Sequence, residues 1–266
     1  MEQLALIGCG KMGEALLSGL IGSGWADRAE LAVVEPSDSR RDALAARYPG
    51  VGLYSAPQPF EAAVLAVKPP EVQAACTALA EASTATERVL SIVAGVGSAR
   101  IAEWLRPGTA VVRAMPNVAA LVGSSATALA GGPGSGESDM EWAESVMAAV
   151  GESVRVDESL LDAVTGLSGS GPAYLLLVVE AMTEAGVHAG LSRDQSAALV
   201  HGTFAGVSAL VDRSGQTPEA LRAAVTSPAG TTAAGIRVLE DRATRAAFMA
   251  AVQEAAARSA ELGRSG

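Results

Sequence analysis

Gly8-Cys9-Gly10-Lys11-Met12-Gly13 stands between an apolar run, Leu4 to Ile7, and a stretch from Glu14 onward that reads as a helix. A strand, a glycine turn and a helix in that order make an anion site, because the free N–H groups and the positive helix end meet there. Gly8 makes the tight turn, Gly10 lets a pyrophosphate reach the backbone of Lys11 and Met12, and Gly13 lets the helix lie close on the strand. A second apolar run, Leu31 to Val34, ends in Glu35, 22 residues after Gly13. An acid at that place accepts hydrogen bonds from a ribose diol. The context points to dinucleotide binding; the plainer alternative is a structural glycine turn. Glu35 suits NADH and repels a 2′-phosphate, whereas Ser37, Arg40 and Arg41 just after it suit that phosphate. The two arginines also read as a solvated helix face. The serine-plus-arginine cluster tips the choice to NADPH, with Glu35 turned to solvent and NADH as the alternative donor.

The elements that must position these residues alternate. Helical spacing runs over 37–48, 71–81, 98–105 and 140–150, with Ser98 as an N-cap. Apolar strands are expected over 51–54, 62–67, 89–93 and 110–114, and a last one over 153–156; residues 131–138 read as a loop. Such alternation predicts a doubly wound, Rossmann-type parallel sheet with right-handed crossovers. Ligands of such sheets lie beyond the carboxyl ends of the strands. Gly8 and Gly10, then Ala66-Val67-Lys68-Pro69, Ala94-Gly95 and Pro116-Asn117 all fall at such ends and should line one crevice. Lys68 has two readings: contact with a cofactor phosphate or substrate carboxylate, or a solvated lysine before Pro69-Pro70. Asn117 likewise reads as a ribose or substrate contact, or as a turn former.

After Asp157 the strand signals stop. Residues 159–167, 172–187, 193–211, 218–225, 231–240 and 242–262 read as helices, so residues 1–157 form the expected dinucleotide-binding domain and 158–266 an all-α domain. In the helix from Pro172, the residues Leu175, Leu176, Leu177, Val178, Val179 and Met182 leave almost no polar face. A helix apolar nearly all round needs cover on every side, which predicts at least a homodimer.

Composition narrows the classes further. Hydrophobic residues make up 49% of the 266 and aromatics only 3%, so the core must be built from Ala, Val, Leu and Ile. The net charge of −10 argues against nucleic acid or an anionic membrane as the partner. Cys9 and Cys76 have no metal or redox spacing, and His188 and His201 have no cysteine near them, so no metal site is expected. The opening strand lacks a basic leader pattern and no apolar run is long enough to span a bilayer, so a reduced cytoplasmic setting is expected.

The second half carries its own signature. Asp162-Ala163-Val164-Thr165-Gly166-Leu167-Ser168-Gly169-Ser170-Gly171-Pro172-Ala173-Tyr174 and Ala224-Val225-Thr226-Ser227-Pro228-Ala229-Gly230-Thr231-Thr232 closely resemble the helical-domain motifs of the pyrroline-5-carboxylate reductases. Ala66-Val67-Lys68-Pro69 and Arg113-Ala114-Met115-Pro116-Asn117 resemble the strand-end motifs of the same family. The resemblance runs the whole chain. It implies NAD(P)H-dependent reduction of 1-pyrroline-5-carboxylate to proline, the last step of proline synthesis. It also implies a helical dimerisation domain intertwined with its copy, with the nucleotide domain of one subunit facing helices of the other, as a dimer or a larger assembly of dimers. Ala229 stands where the family usually has Gly, so no positive φ is expected there, and Val118-Ala119 replaces a common Thr-Pro.

A protonated cyclic imine is already electrophilic, so its reduction needs a hydride donor and orientation rather than a strong protein acid. The turn Ser227-Pro228-Ala229-Gly230-Thr231 leads into a helix, and its N–H groups suit the substrate carboxylate. The resemblance implies that Thr232 hydrogen-bonds the ring nitrogen and is the catalytic side chain. Plain helix capping is the alternative for Ser227 and Thr232. The Ser168-Gly169-Ser170-Gly171 break reads as close helix packing or as an edge of the nicotinamide pocket. A β-hydroxyacid dehydrogenase would need an interior lysine, and Lys11 and Lys68 are the only lysines. A non-catalytic dinucleotide sensor would not need the Ser227–Thr232 motif.

Overall fold

The computed structural model describes residues 3–82 and 84–265. Among them eight strands form one sheet: β1 (Leu4–Ile7), β2 (Leu31–Val34), β3 (Gly52–Tyr54), β4 (Ala62–Leu65), β5 (Arg88–Ser91), β6 (Ala110–Met115), β7 (Ser125–Gly131) and β8 (Gly151–Arg155). Their order is β3-β2-β1-β4-β5-β6-β7-β8. The first six run parallel, β7 is antiparallel to β6, and β8 is parallel to β7. The chain order turns back between β1 and β4, which opens the crevice where such sheets bind ligands.

Helices cover both faces: α1 (Lys11–Gly22), α2 (Asp38–Arg47), α3 (Val72–Ala82), α4 (Ser98–Trp104) and α5 (Glu137–Ala148). The period of two along β1 sorts the core. Leu4 and Leu6 pack with Leu16, Leu20, Leu44 and Met147, while Ala5 and Ile7 pack with Val72, Cys76, Leu79 and Ile101. With both faces covered, β1, β2 and β4 are wholly buried. This is why they read as unbroken apolar runs rather than alternating ones.

Three expectations need correction. β7 was not anticipated; its Ala-rich sequence lacks the β-branched run that marks a strand, and its pairing with β6 and β8 defines it. Ser98 is the first residue of α4 and Gly97 is its N-cap. The single helix expected over 159–167 is a 3-10 turn (Glu158–Leu160), then α6 (Leu161–Val164), then a π-helical turn (Thr165–Gly169).

The remaining helices are α7 (Gly171–His188), α8 (Arg193–Ser214), α9 (Pro218–Ala224), α10 (Thr231–Asp241) and α11 (Thr244–Ser265). By backbone proximity the chain divides into two compact units, one of residues 1–170 with 253–266 and one of 171–252. In the second unit, α7 and α8 touch through small residues. A side chain at Gly186 would meet the Ser196 hydroxyl at 2.1 Å, and that hydroxyl donates to the Thr183 carbonyl at 2.7 Å. A reciprocal cap of Ser192 and Gln195 starts α8. Little else in the unit is buried: Leu175, Leu176, Leu177, Leu199 and Met249 are each more than half exposed. No helix among the described residues is long and apolar enough to cross a membrane.

Candidate active site

The glycine turn has the geometry its residues call for. Gly8 has φ +88°, and a Cβ there would meet Val67 Cγ1 at 2.8 Å and the Ala66 carbonyl at 3.0 Å. A Cβ at Gly13 would meet the Gly8 carbonyl at 2.6 Å, so α1 can lie this close to the strand only with glycine at that position. At Gly10 a Cβ would meet nothing within 4 Å. Gly10 is the N-cap of α1 and brings no side chain to its free N–H groups, so the helix start is open to an anion. Lys11 and Met12 form the first turn. Cys9 between the glycines is buried, which pushes its thiol up to about 12 and leaves it neutral.

At the end of β2, Glu35 does not turn to solvent as expected. Its carboxylate accepts from the Cys9 N–H at 3.4 Å and the Ser37 N–H at 3.1 Å. Ser37 caps α2, accepting from the Arg40 N–H at 3.4 Å. Arg40 reaches back to the glycine turn, donating to the Cys9 carbonyl at 2.9 and 3.1 Å and pairing with Glu14. Arg41 is held by Asp38 and by the carbonyls of Glu35 (2.6 Å) and Pro36 (2.9 Å). Neither arginine is the plain solvated residue of the alternative reading.

A crevice of about 920 Å³ runs over these strand ends and is lined by Gly8, Gly10, Glu35, Ser37, Val67 and Lys68, among others. Ala66 joins them. Lys68 is exposed at its lip, and its N–H donates to Glu71 at 3.3 Å. The crevice also has a wall that sequence reasoning missed. Ser55, Ala56 and Pro57 follow β3, and Ala74 and Ala78 face them from α3. The signal was present: 55–57 also lie past a strand end, and the two alanines sit four apart on one helix face. A second crevice of about 810 Å³ holds Pro69, Ala94 and Gly95 together with Thr165 of the π turn and Ser170 just after it. Gly95 has φ +77° and lies against Gly263 of α11, 3.5 Å from a Cβ placed on it.

Asn117 is buried, and its side chain is spent inside the protein. Oδ1 accepts from the Ala119 N–H at 3.0 Å, and Nδ2 donates to the Ser168 carbonyl at 3.1 Å. It is a turn former that also fastens the π turn to the end of β6.

In the other unit, Ser227 to Gly230 make a tight turn closed by the Gly230 N–H on the Ser227 carbonyl at 3.0 Å. A Cβ at Gly230 would meet the Ser227 hydroxyl at 2.3 Å. Gly230 is the N-cap of α10, so the N–H groups that open this helix also lack a side-chain cap from that position. Thr231 and Thr232 follow and are exposed. Ala229 takes φ +57°, against the expectation that the missing glycine removed that need. The turn keeps its left-handed backbone with a side chain in place. No cluster of metal-ligating side chains occurs among the described residues.

Residues 158–262 match the family described as pyrroline-5-carboxylate reductase dimerisation, and residues 3–95 match NADP oxidoreductase coenzyme F420-dependent. The chain is 44% identical to a pyrroline-5-carboxylate reductase of Mycobacterium tuberculosis, covering 98% of this chain and 97% of that one. It resembles the solved pyrroline-5-carboxylate reductase of Coxiella burnetii with a TM-score of 0.92 and 33% identity, over 98% of both chains. It also resembles a Plasmodium falciparum pyrroline carboxylate reductase solved with NADP bound, with a TM-score of 0.86 and 27% identity, over 99% of both.

Proposed function

The chain belongs to the pyrroline-5-carboxylate reductase family, and from that premise we propose how its own residues carry the reduction of 1-pyrroline-5-carboxylate to L-proline. One observation carries the reading. Gly10 leaves the start of α1 open while Gly8 and Gly13 are locked by contact, as a bound pyrophosphate requires.

The dinucleotide supplies a hydride when bound. The N–H groups of Gly10, Lys11, Met12 and Gly13 hold its pyrophosphate. Ala66, Val67, Lys68 and Pro69 at the end of β4 would line the dinucleotide's crevice, and Ala94 and Gly95 would receive its nicotinamide end. Ser37 and Arg40 would hold the 2′-phosphate of NADPH, the preferred donor; the NADP in the Plasmodium relative supports this choice. Glu35 holds the ribose, which keeps NADH usable. Asn117 acts by shaping the end of β6.

The N–H groups of Thr231 and Thr232 at the start of α10, left uncapped by Gly230 and beside Ser227, would hold the substrate carboxylate. The Thr232 hydroxyl holds the ring nitrogen. Fixing both ends orients the imine carbon, and such orientation supplies much of the rate. Held by Thr232, the protonated ring nitrogen would keep its proton through the reduction and become the secondary amine. Residues 1–157 serve the dinucleotide and 158–266 the substrate and a homodimer, whose copies cover the exposed leucines of α7. Each site then takes its nucleotide half from one subunit and its Ser227–Thr232 turn from the partner subunit. The homodimers are free to assemble further, and the enzyme works in the cytoplasm.

Two variants test the division of labour. Gly10→Asp should abolish both NADPH binding and turnover. Thr232→Ala should keep NADPH binding and lower turnover. Equal NADPH affinity in wild type and Gly10→Asp would remove the glycine turn from the site.

A further inference from the structure

α4 begins at Ser98 right after the loop Ala94–Gly97, and glycine at its N-cap provides no cap of its own. The cap comes from 60 residues away. The Glu158 carboxylate accepts from the Ser98 N–H at 2.7 Å and from the Ser98 hydroxyl at 2.5 Å. The same carboxylate accepts from Arg113 Nη1 of β6 at 3.0 Å. Arg113 is 13% exposed at its side chain, and its Nε is buried with no partner among the described residues. Gly132 packs close against Ser98 on one side, since a Cβ there would meet the Ser98 Cβ at 2.3 Å. One carboxylate thus joins three places: the first turn of α4, the strand leading to Pro116-Asn117, and the first residue of the dimerisation-family match.

We propose that Glu158 is a positioning residue for the reduction, holding the Ala94–Gly97 loop in the shape that receives the nicotinamide ring. The reading rests on the assignment of Ala94 and Gly95 to the nicotinamide end. The pinned α4 turn fixes where the loop ends, and the positive φ of Gly95 fixes its bend. Without Glu158 two N-terminal donors lose their acceptor, the half-paired Arg113 loses its counter-charge, and the loop end is released. The adenosine end of the dinucleotide, held at β1 and β2, is untouched.

The test uses Glu158→Ala, Glu158→Gln, Ser98→Ala and the double variant Glu158→Ala/Ser98→Ala in the full chain, each assayed well below its own melting midpoint. The expected result is a fall in kcat of about tenfold for Glu158→Ala, in the range of lost charged hydrogen bonds. The Kd for 2′,5′-ADP, which probes only the adenosine end, should stay within about twofold. Glu158→Gln, which keeps an acceptor oxygen of the same size, should recover part of the loss and guards against a misfolded alanine variant. Ser98→Ala should lower kcat alone, yet add little to Glu158→Ala, because both act through one contact. Unchanged kcat in Glu158→Ala, or losses that multiply in the double variant, would overturn the proposal. Wild-type protein that forms no proline would instead overturn the function on which it rests.

Discussion

Ala229 holds a side chain in a left-handed backbone, at φ +57°, inside the turn assigned to the substrate carboxylate. That conformation costs an L-residue about 1–2 kcal/mol, and glycine gives back part of the gain through a freer unfolded chain. Ala229→Gly should therefore stabilise the protein by about 0.5–1 kcal/mol with turnover kept, as a raised melting temperature would show. An unchanged melting temperature would mean the turn carries no strain. Thr232 is a sharper case. If its hydroxyl meets a ring nitrogen whose charge changes, Thr232→Ala should lower kcat/KM about 10- to 150-fold, with kcat sharing the loss and melting unchanged. Wild-type kinetics would reduce it to an ordinary first-turn threonine. At this scale the sequence was informative where sterics alone decide. Gly8, Gly10 and Gly13 could be given separate roles because each is a contact or an opening of the backbone. The inward turn of Arg40 onto Cys9 and the backbone of Ala229 were not legible, since both depend on neighbours fixed only by the fold.

Among the elements, α1 and α2 are tied together by Glu14. Its carboxylate pairs with Arg40, accepts from Arg47 at 2.6 Å and from the Tyr48 hydroxyl at 3.3 Å. Burial pushes the Glu14 carboxyl up, but the Arg40 hydrogen bond and the charges of Arg40 and Arg47 outweigh it and hold it below the usual range. A folded value below the unfolded one, about 4.3, contributes stability above that pH and loses it as pH falls through the folded value. The stability gap between wild type and Glu14→Gln should be full at neutral pH and close as the pH drops below about 4. Denaturant midpoints across that range check this, and a gap independent of pH would contradict it. Arg40→Ala should weaken both dinucleotides through the loosened glycine turn, and NADPH more than NADH; an unchanged ratio of their KM values would remove Arg40 from the 2′-phosphate. The strand–helix alternation was legible because each element states its period locally. β7 and the π turn were not. β7 is defined by its pairing to β6 on one edge and β8 on the other, and the π turn by the Asn117 bond to Ser168 and the press of Met115, 2.8 Å from a Cβ on Gly169.

For the whole molecule, the exposed leucines of α7 decide the assembly. Leu177 is 66% and Leu176 58% exposed, and an uncovered apolar helix of this kind is an interface. Leu176→Glu should give monomeric or aggregated, inactive protein in sedimentation. Because the two halves of a site are assigned to different subunits, Gly10→Asp mixed with Thr232→Ala should regain activity after subunit exchange, and proven exchange without regain would place each site within one chain. The unbroken apolar face of this helix was readable from the sequence, but the surface proposed to cover it, that of a second copy, leaves no local trace. The reaction itself is tested most directly by giving purified protein 1-pyrroline-5-carboxylate and NADPH while following nicotinamide absorbance and proline together. The account predicts one NADPH consumed per proline formed; NADPH loss without proline, or no proline above the enzyme-free control, would contradict it.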